Sequence, residues 1–209
     1  VLFPTRVWTR VRFPPAPPNL SEQVPNIVYI ATSLDGFIAR RDGRIDWLMN
    51  YPNPENSDFG FSMFLESIDA IIMGRKTFEV VLGFGEWPYT KPVFVLTKSL
   101  KEIPAHLQTK ASLCQGDLKT ILAQLAAKDI SNIYVDGAKT IQSFINLDLI
   151  DELIISRIPI ILGSGIALFN NLKTEYKFKH ISTDVFSNGI TKSRYLRDRS
   201  AQWETGSPD

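Results

Sequence analysis

Ala70-Ile71-Ile72-Met73-Gly74-Arg75-Lys76-Thr77 runs from an apolar strand through a single glycine into a helix. The first helical turn would carry Arg, Lys and Thr. Backbone N–H groups lack partners at a helix start, so together with two cations they make a place where a phosphate fits. The same arrangement recurs at Ile133-Tyr134-Val135-Asp136-Gly137-Ala138-Lys139-Thr140. One strand–Gly–helix turn is weak evidence. Two in one small domain, each with a cation and a threonine just past the glycine, point to a ligand with several phosphates, such as a dinucleotide.

Outward from these junctions, strands and helices alternate. Asn26 to Thr32 is rich in β-branched and aromatic residues and reads as a buried first strand. Residues 33–47 read as a loop-rich segment, and a helix is expected from Asn56, Ser57 or Asp58 to about Ser67. Strands follow at Asp69 to Met73, Pro92 to Leu96, Asn132 to Val135 and Leu153 to Ile158. Helices are expected at Arg75 to Val81, Asp117 to Lys128 and Lys139 to Asn146. Tyr176 to Val185 and Ile190 to Leu196, joined by Ser187-Asn188-Gly189, read as a closing hairpin on an Asn-Gly turn. The expected fold class is α/β: a mostly parallel mixed sheet with helices on both faces and an antiparallel C-terminal hairpin. Ligands in such sheets sit beyond the carboxyl ends of the strands, where both glycine junctions fall.

Composition narrows the chemistry. The first 25 of the 209 residues hold six prolines and suit an extended or disordered leader, or residues foreign to the native protein. Residues 26–199 suit one domain, and the tail from 200 is polar. The leader's three arginines against Glu22 give it +2, so with a whole-chain charge of +1 the remainder is −1, which argues against a nucleic-acid partner. Cys114 stands alone, and His106 and His180 lack ligand spacing, so neither a disulfide framework nor a metal site is expected. No stretch has the length of a membrane span, and a cytoplasmic location is expected.

Further segments sharpen the picture: Ser33-Leu34-Asp35-Gly36-Phe37-Ile38-Ala39, Asp46-Trp47, Trp87-Pro88-Tyr89, Leu149-Ile150-Asp151-Glu152-Leu153 and Pro159-Ile160-Ile161-Leu162-Gly163-Ser164-Gly165. With the two glycine junctions, in this order over residues 26–197, they resemble the dihydrofolate reductase-like superfamily, in its branch related to the C-terminal reductase domain of bacterial riboflavin-biosynthesis enzymes. The resemblance implies a three-layer dihydrofolate reductase-like fold, NADPH as cofactor and a homodimer. It places the pyrophosphate at Gly74, Arg75, Lys76 and Thr77, with Arg75 or Lys76 near the 2′-phosphate. It further places the adenine ribose near Thr97, Lys98 and Ser99, and a pyrophosphate and nicotinamide cradle at Gly137, Ala138, Lys139 and Thr140, which could equally be a plain helix start. Relatives usually carry a second glycine where this chain has Ala138.

Asp136 falls where riboflavin-type reductases carry an acid facing the substrate, though an aspartate there could equally form the turn or cap the helix. Asp58 precedes Gly74 at about the distance of the carboxylate that holds the pterin in dihydrofolate reductases, yet Asn-Ser-Asp is also a common helix start. Asp35 could shape a loop over the nicotinamide or be a bare Asp-Gly turn. Trp47 could wall the substrate pocket or pack in the core, and Gly163 belongs to a run that would shape the substrate side of the cleft. The expected activity is hydride transfer to a C=N or C=O of a small heterocyclic substrate (pterin or pyrimidine) or a sugar-derived one. The alternative is a non-catalytic nucleotide-binding regulator on the same fold.

Overall fold

In the computed structural model, residues 25–200 are described; apart from Pro25 and Ser200, the expected leader and tail lie outside them. The first strand, β1 (Asn26–Thr32), alternates its side chains between two apolar layers, as a strand buried on both faces must. A short strand β2 (Phe37–Ala39) and a single helical turn α1 (Asp46–Met49) interrupt the segment expected to be loop. Then come α2 (Phe61–Ser67), β3 (Ala70–Gly74), α3 (Arg75–Leu82), β4 (Val93–Leu96), a 3₁₀ turn at Ala105–Leu107 and β5 (Ala111–Cys114). The chain continues through α4 (Leu118–Ala126), β6 (Ile133–Asp136), α5 (Ala138–Asn146), β7 (Glu152–Arg157), β8 (Ile166–Ala167), β9 (Phe178–Val185) and β10 (Thr191–Arg197).

Eight strands form one sheet in the order β5-β4-β3-β6-β1-β7-β10-β9, and β2 pairs with β8 in a small second sheet. From β5 to β7 all pairings are parallel; β10 runs antiparallel to both β7 and β9. Tyr29, Tyr134, Ile71 and Val95 point to one face and pack with Phe64 and Ile68 near α2 and with Phe78 and Val81 of α3. Val28, Ile72, Val135 and Ile155 point to the other, against Ile121 and Leu125 of α4 and Ile141, Phe144 and Ile145 of α5. The spacing of those α5 residues gives one continuous apolar stripe. A third, smaller cluster of Trp47, Ile158 and Ile190 closes the carboxyl ends of β1 and β7.

Two expectations shift. α2 starts at Phe61, later than expected, because Asn56, Phe59 and Gly60 all adopt positive φ, which no α-helix can contain. The strand β5 was not anticipated: four residues, with Ser112 and Cys114 among them, give too weak a pattern. The tail of β10 is tied to the α5–β7 turn by Arg197 to Asp148 at 2.7 Å and Arg199 to Asp151 at 2.8 Å. Among the described residues no helix is long and apolar enough to cross a membrane.

Candidate active site

β3 and β6 lie side by side with Met73 opposite Asp136, so α3 and α5 open next to each other at the carboxyl edge of the sheet. The junctions interlock. A Cβ on Gly74 would lie 3.0 Å from Thr140 Oγ1, and a Cβ on Gly137 would overlap Thr77 Oγ1. Gly137 has φ 88 and ψ 137, a conformation that glycine alone adopts readily, whereas Gly74 at φ −82 is ordinary and needs glycine for space. Ala138 begins α5 and is not among the positive-φ residues, so alanine suits the place where the resemblance led one to expect a second glycine. Thr140 is buried as a residue, with its Oγ1 at the Gly74 turn.

The cations are differently disposed. Arg75 bonds Glu79 at 2.6 Å one turn along α3, while Lys76 and Lys139 are exposed. One strand further out, Thr97 is buried and its Oγ1 accepts the N–H groups of Ser99 (3.1 Å) and Leu100 (2.9 Å). That turn lifts Lys98 and Ser99 into solvent beyond β4, beside Gly74.

Asp58 and Asp35 are both engaged by the backbone. Asp58 is exposed; its carboxylate accepts Gly60 N–H at 2.8 Å and Ser62 N–H at 3.0 Å, at the entry to α2. Hydrogen bonds from the Ser62 side chain and from the Ser62 and Gly60 amides hold its carboxyl down to about 2. Asp35 accepts the Ser33 hydroxyl at 2.6 Å and the amides of Leu162 (3.1 Å) and Gly163 (2.7 Å), and these bonds, Ser33 first, lower its pKa. It thereby fastens the loop after β7 to the end of β1. Gly163, at φ 71, offers its N–H to that carboxylate.

Asp136 is in the opposite situation. It is partly buried, Gly137 N–H meets its Oδ1 at 2.7 Å, and burial pushes its carboxyl up to about 6 despite that bond and the nearby Tyr134 hydroxyl. Three phenols, Tyr134, Tyr89 and Tyr29, gather on this face; the sequence showed two of them within motifs but gave none a role at the site. Tyr134 donates to Tyr29 O at 3.0 Å, and Tyr29 donates to Phe59 O at 2.8 Å. Burial, then the Asp136 charge, raises the pKa of both Tyr134 and Tyr89; burial lifts Tyr29 to about 12. Phe61, Phe64 and Trp87 complete the aromatic surround, with Tyr29 stacked on Phe64 at 4.7 Å and Trp87 edge-on to Tyr89 at 5.5 Å. A period-2 reading of β6 does put Tyr134 and Asp136 on one face. What it lacks is the register that brings Tyr29 beside them. Trp47 lies apart, buried in the cluster beyond β1 and β7.

The arrangement therefore sets two adjacent helix starts, at β3 and β6, beside a carboxylate of raised pKa at the end of β6, the strand next to β1. The model of the RibD C-terminal domain matches residues 26–192. The chain belongs to the RibD C-terminal domain family. This RibD-type chain is 37% identical over 175 residues to the uncharacterized protein YwjB of Bacillus subtilis (strain 168), covering 82% of this chain and 97% of YwjB. A solved structure from Shewanella sp. PV-4, named for riboflavin biosynthesis, is 46% identical with a TM-score of 0.81 over 84% of this chain and 99% of that one. Dihydrofolate reductase from Enterococcus faecalis, solved with NADP(H), shares the fold at 18% identity and a TM-score of 0.58, over 84% of this chain and 98% of that one. The RibD-type domain thus carries a dihydrofolate reductase-like α/β fold, and its family points to reductase chemistry of the riboflavin type.

Proposed function

We propose that this protein is an NADPH-dependent reductase that delivers hydride to a C=N or C=O of a small heterocyclic (pterin or pyrimidine) or sugar-derived substrate, and that it works as a homodimer. The observation that carries the reading is the interlocked pair of glycine junctions, with Thr77 Oγ1 set against the Gly137 turn and Thr140 Oγ1 against the Gly74 turn. Their free amides, Thr77, Thr140 and the exposed Lys76 suit the pyrophosphate, since helix N-termini and cations act together on anionic oxygens. Arg75 and Lys98 suit the 2′-phosphate; Arg75 would have to leave Glu79, or share it, to serve there. Bound nicotinamide supplies the hydride, so no protein nucleophile is needed.

The chain's own residues bind, orient and handle the proton. Asp136, held by Gly137 N–H and enclosed by phenols, faces the substrate. With its pKa near 6 it is substantially protonated in mildly acidic solution, and can donate a hydrogen bond or a proton to the nitrogen or oxygen of the reducible bond. Asp58 and Asp35, each engaged by backbone amides, serve in this reading as helix-entry and loop-fastening groups.

Titration with NADPH and, in parallel, NADH tests the proposal, followed by nicotinamide fluorescence and thermal stabilisation. Thr140→Val is expected to weaken NADPH about tenfold, the worth of one hydrogen bond to a charged oxygen. Lys98→Ala or Arg75→Ala should weaken NADPH more than NADH. Failure of both nucleotides to bind refutes the reductase reading. Tight NADPH binding without oxidation by any candidate pterin, pyrimidine or sugar-derived acceptor favours a nucleotide-binding regulator instead. Size-exclusion chromatography with light scattering tests the dimer.

A further inference from the structure

We propose that Tyr134 is a positioning residue for Asp136: its hydroxyl rests on the Tyr29 carbonyl while Asp136 holds a proton, and turns to the carboxylate once that proton is given up. A part in turnover rests on the reductase reading of Asp136; the exchange of hydrogen bonds does not.

Tyr134 stands where two strands part. β6 stays paired with β3 as far as Asp136, opposite Met73, but its pairing with β1 ends at Tyr134, opposite Ile27. β1 goes on beside β7 to Thr32. Across the gap left between β1 and β6, the Tyr134 hydroxyl donates to Tyr29 O at 3.0 Å. Both ends of that bond are braced. Tyr134 is 5% exposed, and its ring meets the Phe64 ring edge-on at 5.2 Å. Tyr29 stacks on Phe64 at 4.7 Å, and its own hydroxyl donates to Phe59 O, which also accepts Lys192 Nζ at 2.7 Å. The phenol therefore keeps its place, while its hydroxyl hydrogen is free to turn about the C–O bond.

Asp136 lies two residues on, on the same face of β6. Gly137 N–H occupies its Oδ1 at 2.7 Å, which leaves the other oxygen for the proton. A hydroxyl has one hydrogen to donate. While Asp136 is neutral the Tyr29 carbonyl takes it; a carboxylate is the stronger acceptor and draws it across. That hydrogen bond lowers the pKa of Asp136, against the larger and opposite effect of burial. The other ionisable groups around the pair are phenols: Tyr89, from the loop before β4, and Tyr29, which itself feels the Asp58 and Asp184 charges. Among the described residues no cation shifts Asp136, so the Gly137 amide and Tyr134 are the donors its negative charge meets. In turnover the Asp136 O–H bond breaks, a new N–H or O–H bond forms on the reduced group, and the electron pair stays on the carboxylate. Tyr134 meets that charge as it appears, an interaction stronger after donation than before it.

The test uses the full chain with carbon-13 in its aspartate carboxyls and tyrosine rings, followed by NMR against pH. The Asp136 signal is identified by its loss in Asp136→Asn, and the Tyr134 signal by its loss in Tyr134→Phe. In the unaltered chain Asp136 is expected to titrate near 6, and the Tyr134 ring signal to move with the same midpoint although the phenol stays protonated. Tyr134→Phe keeps the ring and removes the hydroxyl; it should raise the Asp136 midpoint by about one pH unit, the worth of one hydrogen bond to a charged oxygen. Tyr89→Phe should leave the midpoint in place. With NADPH and an acceptor that it reduces, the pH profile of kcat/KM should move with the midpoint in Tyr134→Phe. A midpoint that stays or falls in Tyr134→Phe overturns the proposal, even where the variant melts at a lower temperature, since a merely structural tie would cost stability alone. A Tyr134 signal that ignores the Asp136 midpoint in the unaltered chain overturns it too, and needs no variant to fold beyond those used for identification. A moved midpoint in a protein that binds neither NADPH nor NADH keeps the exchange and removes the reductase reading; NADPH binding with an unmoved midpoint removes the exchange alone.

Discussion

Replacing Asp136 by Asn should stabilise the protein at neutral and alkaline pH, and by an amount the structure sets. The carboxyl has an ordinary pKa of 3.8 and is raised to about 6 when the chain folds, mainly by burial. A raised carboxylate favours its neutral form in the folded state. The sign follows: its contribution is fully present below 3.8 and is lost as pH rises through 6. A shift of about two pH units corresponds to about 3 kcal/mol, or roughly 6–12 °C in Tm for a domain of this size. Other carboxylates act oppositely, since hydrogen bonds lower the pKa of Asp58, Asp69 and Asp117. The quantity to measure is therefore the difference between wild type and Asp136→Asn. Urea unfolding from pH 4 to pH 8 should show the two proteins diverging by about 3 kcal/mol in favour of the variant, with an inflection near 6. A difference flat with pH, or a variant less stable than wild type at pH 8, would refute the reasoning. An acid retained at such a cost is what a working site is expected to hold, so the stabilised variant should also lose turnover with any substrate that NADPH reduces.

Further outcomes follow from the same geometry. Gly137→Ala meets two penalties, a positive φ worth about 1–3 kcal/mol and overlap with Thr77 Oγ1; Gly137→Ala with Thr77→Ala should recover the overlap and keep the backbone cost, and full recovery in a thermal melt would contradict the φ argument. Asp58→Ala should cost about 1 kcal/mol as a lost helix-entry cap while leaving NADPH affinity unchanged; loss of hydride transfer with intact NADPH binding would restore this residue as the acid. Asp35→Ala should unfasten the Leu162 and Gly163 amides and speed their hydrogen exchange, while amides in β3 and β6 stay protected.

Much of this molecule is local and therefore legible in the chain. The apolar run of β3 and the glycine after it needed no partner to be recognised, nor did the Asn188-Gly189 turn, where Gly189 takes φ 85. The strands β2 and β8 escaped, because three and two residues cannot display a period. The start of α2 was misplaced, since the positive φ of Phe59 is enforced by packing: its carbonyl is held by both Tyr29 and Lys192, residues from different strands. The same limit explains the aromatic surround of Asp136, whose members come from β1, β6, α2 and the loop before β4.

By itself the sequence determined the alternation of strands and helices, the two glycine junctions and the family, because hydrophobic period, turn chemistry and helix starts are set by residues a few positions apart. The tertiary structure decided which groups meet. Parallel pairing of β3 with β6 set Thr77 against Gly137, and Thr140 against Gly74. Burial at the end of β6, beside Tyr134 and Tyr89, raised the pKa of Asp136, while Asp58, on an exposed loop, was left to bond its own helix. A carboxylate's chemistry depends on its distance from water and from neighbours far along the chain, and register, which no local pattern encodes, fixes that distance.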